Sequence, residues 1–96
     1  MLKTQLTDYT TLPLNELPLS RIAQIIQKDW NTTGKSGVYF GAKPYLDAMK
    51  SLNSINDNYI ADSGRSIVMY FLSNATTWRG ETAKAIKAHL NALLRG

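Results

Sequence analysis

Gly34-Lys35-Ser36 has the ending of a phosphate-binding loop, in which backbone N–H groups and a lysine cradle phosphates. The full pattern also needs a glycine five residues before Gly34, where this chain carries Asp29, and a preceding strand, where the spacing predicts a helix. The triplet reads as a flexible basic loop. His89 is the single histidine and there is no cysteine, which excludes a histidine metal cluster, a thiolate site, a Cys-His pair and disulfides. Its helical angle puts it at the edge of the last helix, away from the apolar stripe. Asp57, Asp62 and Ser63 fall in one loop without the alternating oxygen ligands and glycine of a calcium loop, so they read as turn and capping residues. No nucleophile and base pair up, and the expectation is a protein that is not an enzyme and holds no cofactor or metal.

Charge points elsewhere. The formal net charge is +4, and it is unevenly spread. Through Asp62 the basic and acidic residues balance; beyond it Arg65, Arg79, Lys84, Lys87 and Arg95 face Glu81 alone. An acidic partner is therefore expected at the last third. The candidate partner-binding set is Arg65, Arg79, Lys84, Lys87, Asn91 and Arg95, with Tyr39 and Phe40, beside Trp78, as aromatics able to stack on bases if exposed. A solvated helix face accounts for the same lysines and arginines, and both readings stand. In Trp78-Arg79-Gly80, a glycine costs up to about 1 kcal/mol relative to alanine in a helix interior and less in a first turn, so Gly80 is expected to admit close packing of another segment. Trp78 is expected to close one end of the core and Arg79 to cap nearby carbonyls.

These residues are positioned by elements legible from hydrophobic period. Ser66 to Thr77 holds the longest apolar run; as a helix it sorts Ile67, Val68, Phe71, Leu72 and Ala75 onto one side and Ser66, Tyr70, Ser73 and Thr77 onto the other. A strand would leave no clean polar side. This helix is expected to be central and most buried, with Asp62 or Ser63 as N-cap. A first helix is predicted from Pro18 or Ser20 to Trp30, burying Leu19, Ile22, Ile25, Ile26 and Trp30 and leaving Arg21, Gln24, Gln27 and Lys28 outside; Asn31 to Gly37 should break it. A second runs from Pro44 to Ser54 on Tyr45, Ala48, Met49, Leu52 and Ile55. The last covers Trp78 to Leu94, capped by Thr77, with Ala83, Ile86, Leu90, Leu93 and Leu94 within about 100° of arc. Val38 to Ala42 is either a short extended segment across the bundle or a loop whose aromatics plug the core. Residues 1–16 read as an extended arm docked by Leu12, Leu14 and Leu17.

The expected fold is all-α: a compact four-helix domain over residues 17–96 with an extended N-terminal arm. Composition, 44% hydrophobic over 96 residues, suits one small core. The first residues lack the apolar centre of a signal peptide and no stretch is long enough to span a bilayer, so a soluble cytoplasmic protein with no membrane partner is expected. Asn31 and Asn74 begin Asn-x-Thr triplets, which carry no meaning without secretion.

Val38-Tyr39-Phe40-Gly41-Ala42, Pro44-Tyr45-Leu46 with Ala48-Met49, Asp62-Ser63-Gly64, Tyr70 to Ala75 and Trp78-Arg79-Gly80 together resemble segments of small accessory proteins encoded by tailed bacteriophages. The similarity covers about Leu17 to Arg95 and omits Asn31 to Gly37. It implies a protein acting in the host cytoplasm, with no functional residues to carry over. The expected function is a non-enzymatic interaction module that modulates a host protein or nucleoprotein complex; the alternative is direct nucleic-acid binding through the basic last helix, and self-association is a third.

Overall fold

The structure is a computed structural model, and it describes residues 14–33 and 37–96. Gly34-Lys35-Ser36 and the arm up to Pro13, with the proposed docking residue Leu12, lie outside the described residues. Within them the chain is mostly helical: a 3-10 turn at Leu14–Glu16, then α1 (Leu19–Thr33), α2 (Lys43–Met49), α3 (Gly64–Ser73) and α4 (Glu81–Arg95). An antiparallel hairpin, β1 (Asn58–Tyr59) with β2 (Asp62–Ser63), sits between α2 and α3, in register Asn58 to Ser63 and Tyr59 to Asp62. The all-α expectation is therefore too narrow. Short strands of two residues have no readable alternation, and Asn56-Asp57-Asn58 signalled only a turn.

The predicted stripes pack as one core. Leu19, Ile22, Ile25, Ile26 and Trp30 of α1 are buried together with Leu46, Ala48 and Met49 of α2, Ile67, Val68 and Phe71 of α3, and Ala83, Ile86 and Leu90 of α4. Gln27, expected outside, is half-buried. Leu14 and Leu17 pack partly against this core, so the described end of the arm is docked, but as a 3-10 turn rather than extended. The α3 helix does have the two expected faces, yet it is not the element that buries most. It contributes four buried residues to α1's six, and its outer side exposes Met69 and Tyr70.

Helix ends differ from the sequence expectations for local and long-range reasons. α1 continues through Asn31 to Thr33, where Thr32 and Thr33 donate their hydroxyls to the carbonyls of Lys28 and Asp29, one turn back. α2 stops at Met49, short of Ser54. Leu52 and Asn53 instead turn their carbonyls to the N–H groups of Ser20 (2.7 Å) and Leu19 (3.0 Å), satisfying donors that the start of α1 leaves open. Asp57 holds this turn: its carboxylate accepts from the N–H groups of Asn53 and Ser54 at 2.9 and 3.2 Å. Ser63 is the N-cap of α3, its hydroxyl accepting from Ser66 N–H at 3.1 Å. Residues 75–80 are not helical, and α4 starts at Glu81 with Gly80, not Thr77, in the cap position.

Val38 to Ala42 follows neither expected form. It is a turn, closed by Ala42 N–H on Tyr39 O and Lys43 N–H on Phe40 O, that leads into α2. Ala42 enters the core, while Tyr39 and Phe40 point to solvent.

Candidate functional site

The candidate binding residues of the last third divide into two groups. Arg65 donates from its guanidinium to Leu94 O at 2.8 Å, closing the C-terminal end of α4 onto α3. Lys87 donates to Trp78 O at 2.7 Å and holds its ammonium 5.7 Å from the centre of the Trp78 ring. Asn91 donates its amide to Lys87 O, one turn back. Each of these three commits at least one donor inside the fold. Arg79, Lys84 and Arg95 are exposed, and among the described residues they have no side-chain hydrogen bond or ion pair. The carbonyl cap expected from Arg79 is supplied by Lys87.

Trp78 anchors this end of α4, as expected of it. It is fully buried, stacks on Trp30 at 5.8 Å between ring centres and 18° between planes, and meets Phe71 edge to face at 6.4 Å. Its indole N–H donates to the Asp29 carboxylate at 2.9 Å, which gives that half-buried acid a structural task. Burial, and the nearby Arg79 charge after it, lower the pKa of Lys87.

A second surface is apolar. The rings of Tyr39 and Phe40 lie 4.9 Å apart, and Phe40 is 79% exposed. Tyr39 folds back over Gly41, where a Cβ would stand 2.5 Å from its ring and 3.1 Å from Asn74 Oδ1. Asn74 donates in turn to Tyr70 O, and the Tyr70 ring sits 5.5 Å from that of Tyr45 on α2. The turn before α2 thus meets the C-terminal end of α3, and the aromatics beside this junction are joined on α3 by Met69, with Met69 and Tyr70 each more than half exposed. Tyr39 and Phe40 were legible as candidates. Met69 and Tyr70 were not: Met69 carried no signal, and Tyr70 falls on a polar helix side, where an aromatic is itself the signal; Tyr45 packs partly against the core, as its stripe predicts, and meets the Tyr70 ring at the edge of it.

His89 lies half-buried in a separate depression of about 430 Å³ between the 3-10 turn, the Asn53–Asn56 turn and α4, beside Arg65. Burial lowers its pKa below the ordinary 6.5. Among the described residues no group of three or more His, Cys, Asp or Glu side chains could hold a metal ion, and no helix is long and apolar enough to cross a membrane. Compared with family models, curated proteins and solved structures, the chain matches none.

Proposed function

We propose that this protein is a non-enzymatic interaction module that binds a partner protein through the aromatic face of Tyr39, Phe40, Tyr45, Met69 and Tyr70. One observation carries the reading: Tyr39 and Phe40 in the turn before α2 and Met69 and Tyr70 on α3 leave large apolar side chains exposed on two elements that meet at Gly41 and Asn74. Aromatic anchors of this kind supply much of the energy at protein interfaces. The resemblance to tailed-phage accessory proteins supports a host protein or nucleoprotein complex as that partner.

The test is capture from host lysate at low and high salt, with and without nuclease, using wild-type protein and the F40A/Y70A variant. A stoichiometric partner is expected that survives salt and nuclease and is lost from the variant, while both proteins melt at similar temperatures. Folded wild-type protein that captures nothing, or a variant that captures as well as wild type, overturns the reading. Light scattering reports whether the face instead pairs two copies.

The second reading, direct nucleic-acid binding, is favoured by the clustering of Arg79, Lys84 and Lys87 beside Trp78. It predicts a gel shift that weakens steeply with salt and is abolished by charge reversal at Arg79 and Lys84. Lys87 is unsuitable for that test because its reversal removes the Trp78 contacts.

A further inference from the structure

The three cations around Trp78 belong to one open depression of about 340 Å³, lined by Thr76, Trp78, Arg79, Lys84 and Lys87 along with small residues. No carboxylate lines it. Glu81, the acid on the first turn of α4, is exposed and outside the lining, and Asp29 is engaged with the Trp78 indole.

The Lys87 ammonium is held in place at the depression. Its bond to Trp78 O uses one of three donors, and no second partner is present among the described residues. Arg79 brings a planar fork of donors, Lys84 a second ammonium and Thr76 a hydroxyl. No acid stands among these positive groups, and the Arg79 charge acts on Lys87, so an oxyanion in the depression would offset that repulsion and accept from the donors that line it. A phosphate group matches this set better than a carboxylate does, because a monoester carries about two negative charges and three acceptor oxygens. We propose that the depression formed by Thr76, Trp78, Arg79, Lys84 and Lys87 is a binding site for a phosphate group. The site shares no residue with the aromatic face; it rests on the same cluster as the nucleic-acid reading and deepens that reading to the phosphate group it would take.

The experiment follows the Trp78 indole N–H resonance and the melting temperature during titration with inorganic phosphate, against sodium chloride and sodium acetate at matched ionic strength. Parallel titrations use a short single-stranded oligonucleotide with and without a 5′-phosphate. Wild-type protein should show a saturable shift and a rise in melting temperature that chloride and acetate do not reproduce. The R79A/K84A variant, which removes two exposed side chains without partners, should keep its melting temperature in chloride and bind at least roughly tenfold more weakly. K43A/R95A, with the same loss of charge elsewhere, should bind as wild type. Preference for the 5′-phosphorylated strand assigns a terminal phosphate; equal binding of both strands assigns the phosphodiester backbone. Absence of a saturable shift with every phosphate ligand overturns the proposal. So does an equal response to acetate, or undiminished binding by R79A/K84A.

Discussion

Gly64 and Gly80 both stand at the start of a helix, and each is required for a different reason. At Gly64 the space is filled: a Cβ would lie 2.9 Å from Ile55 O and 3.0 Å from Asp57 O, backbone atoms that cannot rotate aside. At Gly80 the space is empty but the backbone is not one that other residues adopt, with φ of 118° and ψ of −179°. Alanine at Gly64 is expected to cost about 1–3 kcal/mol through overpacking, and at Gly80 about 1–3 kcal/mol through backbone strain. Denaturant midpoints should fall for both. A cavity-forming second change near residue 80 cannot rescue Gly80→Ala, since nothing there clashes. The sequence flagged Gly80 as unusual but suggested close packing; the close approach is at Gly64, a contact with residues seven and nine positions back that no local pattern announces. His89 carries a pH prediction. Its folded-state pKa is lowered by burial, so the unfolded chain binds the proton more readily. Stability is fully present above the ordinary value of 6.5 and declines as the pH falls through it toward the folded pKa. Melting curves between pH 8 and 5 should show this decline in wild type and a shallower one in His89→Gln.

At the scale of elements, the frame rests on two long-range junctions. One is the pair of carbonyls at Leu52 and Asn53 that receive the first N–H groups of α1, with Asp57 holding their turn. The other is the stack of Trp30 and Trp78 with Phe71 against both, tied by the Asp29 bond and closed by Lys87. Trp78→Phe keeps an aromatic ring but loses the indole donor to Asp29 and part of the packed volume. It should destabilise by about 2 kcal/mol, read from chemical denaturation. Trp78→Ala should cost about 3–5 kcal/mol, enough to leave little folded protein. The helical stripes that form these junctions were readable at their period. Their ends were not, because α2 stops short of Leu52 and Asn53, whose carbonyls serve another helix, and α4 begins after a loop that is organised by Trp78 rather than by a local cap.

For the whole molecule, the surplus positive charge and the exposed aromatics occupy different surfaces with different consequences. Of the basic residues counted as one patch, Arg65 and Lys87 are bonded within the fold, and Arg79 and Lys84 flank a depression. The two surfaces should therefore be separable. F40A/Y70A is expected to lose protein capture and keep the phosphate-induced rise in melting temperature, and R79A/K84A to do the reverse. Loss of both responses in either variant would mean that the surfaces act as one.

What the sequence by itself determined is the part governed by neighbours within a turn or two: four apolar stripes at helical period, a cap at Asp62 or Ser63, Asp57 as a turn residue, and a cationic last third. Tertiary structure alone decided the rest. Whether Arg65 is a free cation depends on Leu94, twenty-nine residues away, and Asp29 meets the Trp78 indole across forty-nine. Tyr39 and Phe40 could be placed in the core or at the surface only once Ala42 had taken the buried position and Tyr39 had closed over Gly41. The physical reason is common to all three. Hydrogen-bond satisfaction and close packing are settled between segments that fold together, and hydrophobic period records only which side of each segment faces inward.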